Sequence, residues 1–133
     1  MWIMSHPVRI LLVDDNLPLR AGVRALLRSE GTFEVVAEAG DGETAVRLAA
    51  ELVPDVILMD VQMPGRIDGI EATRRIVQAM AEDGRETVVI ALSAAGRNER
   101  AMLDAGAVAF VPKDRAYDLI SVVQGVLPTK TST

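Results

Sequence analysis

Val8-Arg9-Ile10-Leu11-Leu12-Val13-Asp14-Asp15-Asn16 is the stretch on which the fold turns. Apart from Arg9, the residues up to Val13 are all valine, leucine or isoleucine, and the run stops abruptly at two adjacent carboxylates. An apolar run that does not alternate with polar residues suits a strand covered on both faces, as in a parallel sheet. Asn16 then offers an N-cap, and Pro18 falls near the first helical turn, where its missing N–H does little harm. Leu19, Val23, Leu26 and Leu27 recur at helical spacing until Gly31 ends the pattern.

The same unit repeats along the chain. Phe33 to Glu38 reads as a second strand, and Glu43 to Leu52 as a helix with Ala45, Leu48 and Ala49 inward. Asp55 to Asp60 carries Val56-Ile57-Leu58-Met59 unbroken, and a helix from about Ile70 to Glu82 follows a loop with Pro64, Gly65 and Gly69. Thr87 to Leu92 is a fourth strand, Arg97 to Asp104 a short helix, and Val108 to Val111 a fifth strand. The last helix is expected from about Arg115 to Val126, with Pro128 as its stop. Alternation of buried strands with helices predicts an α/β, doubly wound five-stranded parallel sheet with five helices. One domain is expected over residues 8–127, preceded by a disordered lead-in at 1–7 and followed by a tail or the start of a linker at 128–133.

Composition narrows the function. A net charge of −5 makes the chain a poor partner for a phosphate backbone, so direct nucleic-acid contact is not expected. The chain has no cysteine, which excludes disulfide and thiolate chemistry and fits a reducing cytoplasm. No apolar run approaches the roughly 20 residues that span a bilayer, and the first residues carry no signal-peptide pattern.

In doubly wound sheets, ligands bind beyond the carboxyl ends of the strands where strand order reverses. Asp14 and Asp15 end the first strand, Asp60 the third and Ser93 the fourth, while Lys113 follows the fifth. With order 2-1-3-4-5, strands one and three are neighbours at that reversal, and three carboxylates converge with a hydroxyl and an ammonium beside them. A lone aspartate after a strand is ordinarily a turn former. Three together repel one another unless a cation joins them. Mg²⁺ fits, because it takes oxygen ligands, few carboxylates and phosphate. Lysine and serine suit phosphate oxygens, so the set surrounds a phosphoryl group with a nucleophile, a metal and two stabilising groups.

Four stretches carry a family resemblance. They are Leu11-Leu12-Val13-Asp14-Asp15-Asn16, Asp55-Val56-Ile57-Leu58-Met59-Asp60 with Met63-Pro64, Ala91-Leu92-Ser93-Ala94, and Phe110-Val111-Pro112-Lys113. Together they resemble the receiver domain of response regulators in two-component signalling, a flavodoxin-like fold, over about Val8 to Leu127. Glu34-Val35-Val36-Ala37-Glu38-Ala39 and Asp68-Gly69-Ile70-Glu71-Ala72-Thr73 are most similar to the subfamily that carries a C-terminal helix-turn-helix domain.

The resemblance implies that Asp60 is the phosphoacceptor. It makes Asp15 a direct Mg²⁺ ligand, Asp14 a ligand through water, and the Gln62 backbone carbonyl a further ligand beside Asp60. Ser93 becomes the switch hydroxyl, Lys113 the phosphate-binding lysine and Phe110 the aromatic that changes rotamer. A sensor histidine kinase or small phosphodonor would supply the phosphoryl group. The surface of the fourth helix, fifth strand and fifth helix would respond. Homodimers through that surface, or through the first and fifth helices, are also implied. So is a place in transcriptional regulation, as part of a longer regulator or as a stand-alone receiver, without enzymatic turnover.

Two features depart from the family pattern. The loop Met63-Pro64-Gly65-Arg66-Ile67-Asp68-Gly69 is one residue longer than usual, and Asp114 rather than proline follows Lys113. The spacing of Arg20, Arg24 and Arg28 is that of a solvated helix face, with kinase docking as the alternative. An aspartate-nucleophile phosphatase is disfavoured, because Gln62 stands where a second acid would protonate the leaving group. A phosphorylation-independent interaction module is disfavoured by the complete acidic set. Dinucleotide binding lacks its glycine-rich turn.

Overall fold

The computed structural model describes residues 6–94 and 98–127. Most of the expected lead-in, the tail at 128–133 with Pro128, and Arg97 lie outside the described residues. Elements follow in the order β1 (Val8–Val13), α1 (Leu17–Ser29), β2 (Phe33–Ala39), α2 (Gly42–Leu52), β3 (Val56–Asp60), α3 (Gly69–Glu82), β4 (Val88–Ser93), α4 (Glu99–Ala105), β5 (Ala109–Pro112) and α5 (Leu119–Val126). All strand pairs are parallel, in the order β2-β1-β3-β4-β5, so the expected doubly wound sheet is the one that forms.

Side chains alternate across the sheet, and each face is buried separately. Ile10, Leu12, Leu58, Ile90 and Leu92 pack with Val23 and Leu27 of α1 and Leu119 and Val123 of α5. Leu11, Val13, Ile57, Met59 and Ala91 pack on the other face with α2, α3 and Met102 of α4. This double burial is why the strand sequences read as unbroken apolar runs.

The register between β1 and β2 slips once. Ile10 pairs with Val35 but Leu11 pairs with Ala37, leaving Val36 as a bulge. A one-residue insertion reverses the facing of everything beyond it. Glu38 therefore pairs with Leu12 and shares its face, the side covered by α1.

Asn16 caps α1 as the sequence suggested, and two further helices are capped in the same way. Asn16, Asp41 and Asp68 each accept a hydrogen bond from a backbone N–H in the first turn of α1, α2 and α3. The expected single helix from Arg115 is not what forms. Lys113–Asp118 is a 3-10 segment in which Arg115 is non-helical (φ −121°, ψ 35°), and α5 starts at Leu119. Lys113 is drawn back to carboxylates at the ends of β1 and β3, so the chain cannot enter an α-helix directly. Arg115 pairs with Asp118 three residues on, the spacing that a 3-10 turn stacks. Thr87, expected as the first residue of the fourth strand, precedes β4 and donates its hydroxyl to the Pro54 carbonyl at 2.6 Å.

Candidate functional site

β1 and β3 are adjacent, so the residues that end them meet at the reversal of strand order. Asp14 and Asp60 are buried and Asp15 is exposed, and each can offer one carboxylate oxygen to a cluster whose atoms lie within 4.8 Å of one another. Lys113 closes the group from β5, its Nζ 2.9 Å from Asp14 Oδ2 and 3.1 Å from Asp60 Oδ1. Asp14 Oδ1 accepts from the Asn16 backbone N–H at 2.8 Å, which ties the acidic turn to the start of α1.

The charges are incompletely balanced. Asp60 Oδ2 is buried and accepts no hydrogen bond, and Asp14 Oδ2 has only the ion-pair contact with Lys113. Burial and then the Asp14 carboxylate push the Asp60 pKa up to about 6, against the opposing pull of Lys113. Burial alone would lower the Lys113 pKa, but its contacts with Asp14 and Asp60 raise it above the usual lysine range. An all-oxygen, doubly anionic surplus with an orphaned buried oxygen is what a hard divalent cation would neutralise.

A cleft of about 630 Å³ opens over this cluster, lined by Asp15, Asn16, Pro18, Asp60, Gln62, Ser93, Ala94, Asn98 and Lys113. Ser93 is buried at the end of β4 and reaches the cleft. Phe110 does not line it. Phe110 pairs with Ala91 while Pro112 pairs with Ser93, so Phe110 and Ser93 share a sheet face two residues apart in register. The ring is half-buried against the core beneath α2, α3 and α4.

The approach of α3 fixes Asp60 from behind. A Cβ on Gly69 would lie 1.8 Å from the Asp60 carbonyl oxygen, and the Gly69 N–H donates to the Val61 carbonyl at 2.8 Å. Only glycine admits this contact. The longer loop before it leans on α2: Ile67 is buried against Gly42, where a Cβ would come within 2.8 Å of its side chain. Glu43 accepts from the Arg66 N–H at 3.3 Å. The extra length is thus folded against α2.

The basic stripe on α1 is neither wholly solvated nor a free docking face. Arg20 and Arg24 both pair with Glu38, and Arg28 remains exposed. Sequence spacing identified the stripe but not its partner, because the bulge at Val36 decides which face Glu38 takes.

The family model for the response regulator receiver domain matches residues 10–124. The chain belongs to the response regulator receiver family. Nitrate/nitrite response regulator protein NarP of Escherichia coli is 39% identical over 112 residues, which cover 83% of this chain and 50% of NarP. LiaR, a transcriptional regulatory protein of Bacillus subtilis, is 49% identical over 75 residues, covering 56% of this chain and 35% of that protein. Among solved structures, the receiver domain of the putative response regulator NarL from Mycobacterium tuberculosis superposes with a TM-score of 0.80 at 31% identity, covering 91% of this chain and 96% of that one. The receiver thus spans about a third to a half of these curated relatives. Receivers are also joined to other outputs: a protein-glutamate methylesterase of Cupriavidus metallidurans is 46% identical over 98 residues, or 28% of its length. Among the described residues, no helix is long and apolar enough to cross a membrane.

Proposed function

We propose that this receiver is a phosphorylation switch in which Asp60 takes a phosphoryl group from a sensor histidine kinase or a small acyl phosphate. The observation that carries this reading is the pairing of a buried, half-neutralised Asp60 with two further carboxylates and Lys113 at one cleft. Asp14, Asp15 and Asp60, with the Gln62 backbone carbonyl, would hold Mg²⁺. When bound, the ion offsets charge on the carboxylates and on phosphoryl oxygens.

The chain's own residues then divide the work. Ionised at neutral pH, the Asp60 carboxylate attacks phosphorus, one P–O bond forms, and the bond to the donor's imidazole nitrogen or acyl oxygen breaks. The departing group leaves with the electron pair; an imidazole takes a proton from solvent. Lys113 already lies within ion-pair distance of Asp60 and meets the charge that accumulates on the transferred oxygens. Ser93 donates its hydroxyl to another phosphoryl oxygen. Its movement frees space on the face it shares with Phe110, and the ring follows inward. The α4-β5-α5 surface then changes. That surface, or the α1-α5 surface, forms the homodimer.

With Gln62 in place of a second acid, the group is accepted rather than turned over. Similarity to LiaR and NarP favours the receiver of a transcriptional regulator acting in the cytoplasm, with DNA contacted elsewhere than on this domain. A stand-alone receiver is the other form, and the length of the native gene product distinguishes them. The mechanism is tested by adding Mg²⁺ and beryllofluoride while following amide resonances. Shifts should spread from Asp60 to Ser93 and Phe110 and be lost in Asp60→Asn. Shifts confined to the cleft would refute the switch.

A further inference from the structure

Among the described residues, Arg20 is the one basic side chain that hydrogen-bonds from a helix to the backbone of the acidic turn. Its guanidinium donates to the Asp14 carbonyl at 2.8 Å and the Ala39 carbonyl at 3.1 Å, while Nε pairs with Glu38 Oε1 at 2.9 Å. The Asp14 N–H also donates to the Ala39 carbonyl, at 3.0 Å, so the ends of β1 and β2 are joined twice at this point. Glu38 in turn takes a second pair from Arg24, and burial, though it opposes ionisation, is outweighed by both arginines, which hold the carboxyl below the usual range. Only 17% of the Arg20 side chain is exposed, so these bonds compete little with water.

Geometry gives the arrangement a purpose. The Asp14 carbonyl belongs to the peptide that links Asp14 to Asp15, and its orientation sets where the Asp15 carboxylate stands. Asp14 is fixed independently by Asn16 and Lys113. Asp15 is exposed, and Arg20 constrains the peptide that precedes it. The bulge at Val36 makes this possible, because without it Glu38 would face α2 instead of α1.

We propose that Arg20, aimed by Glu38 across the β2 bulge, is a positioning residue that holds the Asp14–Asp15 peptide so that Asp15 faces the cation site. The inference rests on the cleft binding Mg²⁺, as proposed above. A planar fork is needed to serve two carbonyls and a carboxylate together, which the ammonium of lysine cannot reproduce. Groups that orient metal ligands typically matter by about 10–100-fold in affinity.

The test is titration of MgCl₂ into the full chain by calorimetry, paired with the Mg²⁺ dependence of acetyl phosphate labelling, in wild type, Arg20→Ala, Arg20→Lys and Glu38→Gln. Arg20→Ala should weaken Mg²⁺ binding about tenfold and raise the half-saturating Mg²⁺ equally, with the labelling rate at saturating Mg²⁺ within about twofold of wild type. Arg20→Lys should recover part of the loss, and Glu38→Gln should show a smaller loss in the same direction. Unchanged half-saturation in the folded variants overturns the assignment, as does a lower maximal rate with unchanged half-saturation, since a merely structural role would lower stability or rate without that split. If Arg20→Ala fails to fold, Arg20→Lys and Glu38→Gln decide by the same criterion. A wild-type chain that binds no Mg²⁺ overturns the metal-site reading itself, a result distinct from wild type binding and the variants binding equally.

Discussion

Replacing the proposed phosphoacceptor should make the metal-free protein more stable. Asp60 is 3% exposed, one of its oxygens accepts no hydrogen bond, and burial with the Asp14 carboxylate raises its pKa from 3.8 to about 6. The folded state therefore binds a proton more tightly than the unfolded chain does. Between about pH 4 and 6 the native form holds more protons, so stability falls as pH rises through that window and stays low above it. The shift corresponds to about 3 kcal/mol at most, at 1.36 kcal/mol per unit. The site opens to a wet cleft, so about 1–2 kcal/mol is the realistic share. The stabilising pull of Lys113 is already contained in that net value. Asp60→Asn removes the titration while keeping an oxygen for Lys113. In EDTA at pH 7.5 its melting temperature should rise by roughly 3–8 °C. Below about pH 4 the gain should vanish, and saturating Mg²⁺ should narrow it by stabilising wild type more than the variant. Thermal melts across pH 4–8 decide the matter. An Asp60→Asn protein no more stable than wild type at pH 7.5, or a gain independent of pH, would refute the reasoning.

Other outcomes follow from the same contacts. Lys113→Ala leaves two buried carboxylates without their cation and should cost about 1–3 kcal/mol in metal-free urea denaturation, the opposite sign to Asp60→Asn. Gly69→Ala drives a methyl into the Asp60 carbonyl and should cost about 1–3 kcal/mol or more, with loss of Asp60 labelling even where the protein still folds. Asp14→Asn removes the neighbouring charge, so the Asp60 pKa, read by carboxyl NMR in the metal-free protein, should fall from about 6.

The fold was legible because both faces of the sheet are covered: unbroken apolar runs at 10–13, 56–59 and 88–92 mark the central strands within a residue or two. Asp14, Asp15, Asp60, Ser93 and Lys113 were legible because strand ends are where such sheets bind ligands, and the structure brings all five to one cluster and cleft. Two features were hidden for a common reason, namely that long-range pairing overrode local pattern. Lys113 is held by Asp14 and Asp60, which turns the start of the last helix into a 3-10 segment. Glu38 reaches Arg20 only because Val36 bulges, a register choice that no periodicity in 33–39 announces. Phe110 shares a sheet face with Ser93 but lies outside the cleft lining, so the proposed switch role requires the ring to move.

The most direct test of the central claim is intact-mass analysis with peptide mapping after incubation with acetyl phosphate. One phosphoryl adduct is expected, dependent on Mg²⁺, mapping to Asp60 and absent from Asp60→Asn. No adduct on the wild-type chain, or an adduct that persists in Asp60→Asn, would contradict the account.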